Sequence, residues 1–307
     1  MIELYFIQDF CNMNLRNDFS IRSTRREARL ISIRGMAFKL LVLKNDWFFK
    51  PNSEFPDFEK LTKLINKAYS KARYKFDIIT TQRIKDPTTF LEDFSIDNNK
   101  RFCFFILLGS ESSFDKIRLE DNFERDFSIP NRNLEESYAC DIPEKYYDLL
   151  GFDNTSEIEI EEVDCNYVLD DTVLKRVLGT AGLKDCSKEE GEVNDTSELA
   201  LTCFTSFMRN TAPQILDTVI YKYLLEPRYM SSHQLLNTAT MKVMLHAEVI
   251  REHKLVEYYS SKCGFEFSSE ILIEVDDNGK LKNNPFEDNI LATGNFHVSF
   301  IHREIHI

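Results

Sequence analysis

An almost unbroken run of apolar side chains, FCFFILL, lies within residues 101–109 and limits what this chain can fold into. The run is far shorter than the roughly 20 apolar residues that a membrane-spanning helix needs, so we expect no membrane span. It also lacks the alternation of apolar and polar residues that a strand with one solvent-exposed face shows. The run therefore predicts a strand at the centre of a sheet, buried on both faces.

Regular elements are predicted on both sides of this strand. Apolar residues at 38–43 predict a strand, and those at 58–69 recur at helical spacing after Asp57, which can cap the helix or lie in its first turn. A short helix with Pro87 at its start fits 86–94. Further along, we predict helices at 142–150, 215–225 and 252–262 and strands at 157–168, 176–184, 199–207, 241–249, 265–275 and 291–307. This succession predicts an α/β fold with a mixed, mostly antiparallel central sheet flanked by helices.

Charge and composition indicate which partners this protein can bind and that it is folded. The 307 residues include 51 acidic and 38 basic side chains, a net charge of −13. Nucleic-acid binding depends on a basic surface, so we expect no nucleic-acid partner. An acidic surface favours encounter with cationic molecules such as amines, polyamines or basic peptide tails. Hydrophobic residues at 43% and aromatic residues at 12% indicate a folded domain.

The cysteines show no metal or redox pattern. No two of the seven have CxxC spacing, and an odd number of scattered thiols suits a reducing compartment, which predicts the cytoplasm or nucleus.

Two segments differ from the rest. Residues 1–35 are rich in arginine, whereas the remainder is acidic, and we interpret them as a basic leader or irregular arm, or as an extension ahead of a natural start near Met36. Residues 36–307 would form a single domain. Within it, residues 110–170 would be an acidic insertion between the second and third strands.

The carboxy-terminal third carries the strongest signature. A strand at 241–249 is followed by an aromatic-rich helix that ends in Lys-Cys-Gly-Phe at 262–265. Gly264 suits the left-handed residue after a helix, and Phe265 would begin the next strand. Together with INKAY at 65–69, this succession resembles the Gcn5-related N-acetyltransferase (GNAT) family over residues 36–307. The resemblance implies a GNAT-like acyl-CoA N-acyltransferase fold, in which two strands part in a V that admits CoA.

The resemblance extends to a strand–loop–helix junction. The family holds the pyrophosphate of acetyl-CoA on backbone N–H groups at a helix start, after an acid at the strand start and a loop R/Q-x-x-G-x-G/A. Here Glu198 begins the strand, and Arg209 opens the loop eleven residues later. The cofactor acetyl-CoA would then be bound by Phe204, Thr205, Arg209, Asn210, Thr211, Ala212 and Gln214.

This loop departs from the family pattern. Ala212 and Gln214 add side chains where the backbone must approach a phosphate closely, and Pro213 has no N–H to donate. Pro213 would suit the first position of the helix at 215–225. The alternative interpretation is a plain strand–helix connection with a proline cap.

The resemblance also implies the mechanism. A deprotonated amine attacks the thioester, and a strand N–H stabilises the developing oxyanion. Tyr258 or Tyr259 could protonate the departing CoA thiolate, and Glu198 could act as the base, directly or through water. His246 and Glu248 share a strand face and are rival bases. The alternatives are that both tyrosine rings pack in a core and that His246 is structural.

Other groups of polar residues give weaker evidence for a functional site. His302, Glu304 and His306 alternate on the last predicted strand, but no fourth ligand is evident, so we expect no metal site. The sequence has no G-x-S-x-G elbow, Walker loop or Rossmann fingerprint.

Two functions remain open, and a third interpretation is an unrelated α/β protein whose strand order lacks the V-shaped parting. The first is an acetyl-CoA-dependent N-acetyltransferase acting on a small cationic amine or a protein amino group. The second is a catalytically inactive GNAT-like domain that binds a protein partner through 110–170. N–H groups of 209–214 that face an open cleft would favour the enzyme, and a filled cleft would favour the binding module.

Overall fold

Eight strands form one sheet in the order β3-β1-β2-β4-β5-β6-β8-β7. In chain order they are β1 Phe38–Leu43, β2 Phe102–Leu108, β3 Ile158–Glu162, β4 Val177–Asp185, β5 Thr196–Ser206, β6 Lys242–Ile250, β7 Glu266–Ile273 and β8 Phe296–His306. Two neighbouring pairs are parallel, β1 with β3 and β5 with β6, and the other neighbours are antiparallel. The mixed, mostly antiparallel central sheet is therefore confirmed.

The computed structural model describes residues 38–49, 56–96, 101–129, 133–153, 155–186, 195–236, 240–282 and 290–307. The leader predicted at 1–35 and the start proposed near Met36 lie outside these residues. Among the described residues, no helix has the length and apolar character needed to cross a membrane.

Helices flank the sheet on both faces. The longer ones are α1 Pro56–Phe76, α2 Glu111–Asp121, α3 Thr211–Asp217, α4 Pro227–His233 and α5 Val256–Cys263, and a π-helix, Thr218–Leu224, continues α3. The short α-helices are Asn45–Phe48, Phe90–Asp93, Leu134–Ser137, Tyr147–Leu150 and Asp171–Lys175, and the 3-10 turns are Pro87–Thr89, Glu144–Tyr146 and Arg251–His253.

The strand β2 is buried on both faces, as its apolar run predicts. Cys103, Phe105 and Leu107 belong to the core cluster that also contains residues of α3 and α5. Phe104 and Ile106 belong to the cluster that contains residues of α1. Because successive side chains of a strand point to opposite faces, this one strand separates two cores.

The helix α1 covers the second core. Its apolar positions from Phe58 to Tyr69 recur every three or four residues and are buried. Asp77, which follows the helix, has φ 51°, so the chain leaves the helix in the left-handed conformation. Lys71 in its last turns donates to the carbonyl of Ser206 at 3.1 Å. The end of α1 thus lies against the end of β5.

The segment 110–170 is more regular than its sequence suggests. It contributes β3, which extends the sheet beside β1, and the unpredicted helix α2. Ser110 caps α2 by accepting a hydrogen bond from the N–H of Ser113. Only two residues of α2 are buried, Ser113 and Ile117, and for this reason no helical periodicity was visible. The strand predicted at 157–168 is shorter, because the chain turns away after β3.

Candidate active site

The strands β5 and β6 part along their length. Their parallel register runs from Thr196↔Lys242 to Ala200↔His246, although β5 continues to Ser206 and β6 to Ile250. Beyond Ala200, β5 stays paired with β4 and β6 with β8. This is the V-shaped parting that the resemblance implies.

A β-bulge lies in β5 at the parting. The register with β4 moves from Gly182↔Thr202 to Thr180↔Thr205, so two residues of β5 face Ala181. Cys203, within the bulge, has φ 48°. Thr180 donates its hydroxyl to the carbonyl of Cys203 at 2.6 Å. The bulge changes the direction of the β5 backbone at the place where it leaves β6.

Two predicted cofactor contacts on β5 are buried at this point. Phe204 is fully buried and packs on Tyr259 of α5, with ring centroids 5.9 Å apart. Thr205 shares a 2.8 Å hydrogen bond with the hydroxyl of Thr180. Their role in binding acetyl-CoA stays a prediction.

The loop after β5 begins α3 earlier than predicted. Asn210 has φ 66°, and the helix starts at Thr211, so Pro213 is its third residue and not its first. The expectation for Pro213 is therefore wrong, although a proline at the third position still removes only an N–H without an intrahelical partner. Thr211 and Ala212 are buried, and the hydroxyl of Thr211 donates to the carbonyl of Met208 at 2.8 Å.

The segment Glu144–Leu150 covers the same loop. The backbone N–H of Arg209 donates to the hydroxyl of Tyr147 at 2.9 Å. The guanidinium of Arg209 forms an ion pair with Glu144. Burial raises the pKa of Tyr147. Both polar groups that Arg209 could offer to a phosphate are therefore engaged by the chain itself.

Arg125 joins the chain just before Glu144–Leu150 to the start of β4. Its Nε donates to the carbonyl of Cys140 at 2.5 Å, and its Nη1 donates to those of Lys175 at 3.0 Å and Val177 at 2.6 Å. Its guanidinium also lies 5.3 Å from the ring centroid of Phe207. Burial lowers the pKa of Arg125 to about 10. Sequence reasoning missed this residue, because FERDF at 123–127 does not indicate that the arginine points inward.

The two candidate tyrosines lie on α5. Tyr259 is fully buried against Phe204 and Phe265, with the latter ring 5.3 Å away. Tyr258 is also buried, and burial raises its pKa. Gly264, with φ 71°, ends the helix as predicted. Tyr259 is the one in contact with β5 at the parting, so it is the better placed of the two.

The two candidate bases lie on the other face of the sheet. Leu199 on β5 and Leu245 on β6 point into the core of α3 and α5, so their neighbours Glu198 and His246 point away from it. Ligand atoms of Glu198, His246 and Cys186 all lie within 4.8 Å of one another. Within the described part of the chain, Nε2 of His246 is buried and has no hydrogen-bond partner. Burial lowers the pKa of His246, and the charge of Glu198 partly opposes that effect.

Cys186 was not predicted to join this pair. It stands just after β4, and its backbone N–H donates to the carbonyl of Glu198 at 3.1 Å. The cysteine spacings carry no signal for such a group, because its members come from three separate segments.

A pocket lies past the end of β6, beside the last turns of α1. It is a small pocket, and part of it is open to solvent. Burial lowers the pKa of His253 on its wall to about 3. The described lining residues include no carboxylate: Asn66, Tyr69, Ser70, Arg73, Ile79, Thr81, Gln82, Arg83, His253 and Ile290. This pocket was not foreseen, since it joins residues far apart in sequence.

Comparison with known families identifies the chain. The family model of sporulation protein RMD6 matches residues 35–305. The chain belongs to the RMD6 sporulation protein family. This RMD6 match includes residues of all eight strands and of both cores, and no curated protein matches the sequence.

Two solved structures resemble this RMD6 family member. One is an acetyltransferase of the GNAT family from Streptococcus pneumoniae, with 10% identity, a TM-score of 0.32 and coverage of 87% of this chain and 99% of that one. The other is a spermidine N-acetyltransferase SpeG chimera from Vibrio cholerae and hSSAT, with 12% identity, a TM-score of 0.28 and coverage of 86% and 94%. The strand order and the parting of β5 from β6 define the fold of this chain independently of the two solved structures. At 10% and 12% identity, those structures give no information about its activity.

Proposed function

We infer that this chain is an acetyl-CoA-dependent N-acyltransferase that moves an acetyl group to a primary amine by direct attack. The observation that supports this most is the parting of β5 from β6 beside the bulge at Cys203. A cleft between two parallel strands admits an extended acyl-pantetheine arm, and strand N–H groups that leave the ladder can donate to it. We further propose that residues 36–307 are one domain with an insertion at 110–170.

The residues fit the two ends of acetyl-CoA differently. The parting offers a path for the acyl end between β5 and β6. The corner at Arg209 offers its backbone N–H to the pyrophosphate only after Tyr147 releases it, and Glu144 competes with the phosphates for the exposed guanidinium. Asn210, Thr211 and Gln214 would then be the remaining candidates at that corner.

The proposed reaction uses groups on both faces of the sheet. When bound, acetyl-CoA supplies the activated acyl group. Glu198 or His246 takes the proton that the amine loses, and a hydroxyl on α5, Tyr259 or Tyr258, gives a proton to the departing thiolate. Backbone N–H groups of β5 after Ala200 donate to the oxyanion.

The pocket beside α1 suggests how the acceptor enters. Arg73 and Arg83 line it, and its described lining lacks a carboxylate. Such a wall repels a polycation, so the proposed acceptor carries its amine on a neutral or anionic molecule. This differs from the cationic acceptor that net charge alone favours.

A second candidate function is a catalytically inactive module that binds a protein partner through 110–170. The closed corner favours it, because Tyr147 and Glu144 use the groups of Arg209 that a phosphate would need.

Calorimetric titration with acetyl-CoA separates the two functions. For the enzyme we expect micromolar binding, acetyl transfer to a primary amine from a panel that includes polyamines and amino acids, and loss of turnover with intact binding in Glu198→Gln. Absence of binding at millimolar acetyl-CoA, both in the natural protein and in Tyr147→Phe, would refute the enzyme and support the module.

A further inference from the structure

We propose that Cys186, Glu198 and His246 form a binding site for a divalent transition metal, with Zn²⁺ as the natural ion. Their ligand atoms lie within 4.8 Å of one another, and each residue is half-buried. The three come from the end of β4, from β5 and from β6. The site lies on the sheet face opposite α3 and α5.

The backbone holds these residues in place without a metal. The N–H of Cys186 donates to the carbonyl of Glu198. The parallel register joins Glu198 to Met244 and Ala200 to His246. The three Cα positions are therefore set by ladder hydrogen bonds, so binding needs only side-chain rotation.

The spacing suits tetrahedral coordination. Zinc bonds of about 2.0–2.3 Å place neighbouring ligand atoms about 3.3–3.8 Å apart. A separation of at most 4.8 Å reaches this range after small rotamer changes. Cross-strand from His246, on the same face, stands His302, and this side chain or a water completes the four ligands.

The ligand set selects the ion. A thiolate with an imidazole and one carboxylate is typical of zinc, whereas Mg²⁺ and Ca²⁺ prefer sites made of oxygen. Nε2 of His246 is buried with no hydrogen-bond partner among the described residues, and a metal would give it one. The same coordination would hold Glu198 and His246 as ligands, so a metal-loaded site could not use them as bases. The loss of Glu198 and His246 as bases rests on the proposed function, but metal binding itself does not.

Cobalt titration tests the site without any assay of transfer. Metal-free, untagged full-length protein, reduced with a phosphine, is titrated with Co²⁺ and then with Zn²⁺. We expect one Co²⁺ per chain, a thiolate-to-cobalt charge-transfer band with the visible bands of tetrahedral cobalt, and loss of these bands on adding Zn²⁺. No charge-transfer band in the natural protein would overturn the proposal.

Matched variants assign the ligands. Cys186→Ser should abolish the charge-transfer band, and His246→Gln should weaken Co²⁺ binding at least hundredfold. Cys165→Ser, a change at another half-exposed cysteine, should leave the spectrum unchanged. Circular dichroism confirms that each variant is folded. If one ligand variant does not fold, Glu198→Gln takes its place in the Co²⁺ titration. A band that survives Cys186→Ser in folded protein would contradict the assignment.

Discussion

The polar groups at the two ends of β5 differ in whether another segment of the chain binds them. At the amino end, Glu198 and His246 lie half-buried on an open sheet face, close to each other and to Cys186. At the carboxyl end, the N–H and the guanidinium of Arg209 are both engaged by the segment Glu144–Leu150. The comparison teaches that the chain closes the place where a phosphate was expected and leaves open the place where proton transfer or metal binding could occur.

The largest expected effect concerns the closed end. Arg125→Met removes the donor that three carbonyls share, two of them buried, so we expect a loss of about 3–5 kcal/mol in the free energy of unfolding. Arg118→Met is the control, because Arg118 is exposed and, within the described part of the chain, pairs only with Asp115 nearby in α2; its effect should stay within about 0.5 kcal/mol. Urea unfolding measures both. Equal midpoints would mean that the closed end does not depend on Arg125.

The next effect is a pH dependence beside the same end of the sheet. Burial, and then the charge of Lys75, lowers the pKa of His253 to about 3. The unfolded chain takes up this proton below about 6.5 and the folded chain does not, so stability is full above 6.5 and falls as the pH drops towards 3. At pH 5 the loss should be about 2 kcal/mol.

His253→Gln tests this assignment. The variant should show a shallower fall in unfolding free energy between pH 7 and pH 5, whatever its stability at pH 7. His306→Gln, at an exposed histidine, should keep the slope of the natural protein. Identical slopes in all three proteins would rule out His253 as the source.

A smaller effect tests whether the closed corner can open. Tyr147→Phe frees the N–H of Arg209, and we expect the affinity for acetyl-CoA to rise about tenfold, or about 1.4 kcal/mol. Tyr146→Phe is the matched control, since its hydroxyl donates to Asp121 at 2.6 Å and does not contact the loop. Calorimetry measures both, and an unchanged affinity in Tyr147→Phe would show that this contact does not compete with the cofactor.

The smallest effect concerns the open end. In metal-free protein, His246→Gln should change the free energy of unfolding by no more than about 0.5 kcal/mol, because the side chain is half-exposed. Leu245→Ala, one residue away on the buried face, should cost about 2–5 kcal/mol. Thermal unfolding with a chelator compares them. A large loss in His246→Gln would mean that the open end is structural.

Local patterns predicted much of the fold. The apolar run around Phe104 predicted β2, the periodicity from Phe58 to Tyr69 predicted most of α1, and Gly264 predicted the end of α5. Each of these three features depends on residues close in sequence and on which side chains are buried. The spacing of apolar residues and glycines in the sequence shows both directly. The helix α2 was missed, because it buries only Ser113 and Ile117 and so has no apolar stripe to read.

Less of the candidate site could be predicted from the sequence. Glu198, His246, Tyr258 and Tyr259 were named through a family resemblance, and their catalytic roles remain predictions. The contact between Tyr147 and Arg209 joins residues 62 positions apart, and no local pattern records it. The same holds for Cys186, which meets His246 only because β4, β5 and β6 are neighbours in the sheet.

By itself, the sequence determined most of the strands and helices, their order and the burial of β2, because hydrophobic periodicity and turn residues act over a few positions. The tertiary structure alone decided that β5 and β6 part after Ala200, that Arg125 is buried, and that Cys186 joins Glu198 and His246. The physical reason is the same in each case. These features arise from strand register and from packing between distant segments, and their free energy depends on contacts that exist only once the sheet has formed.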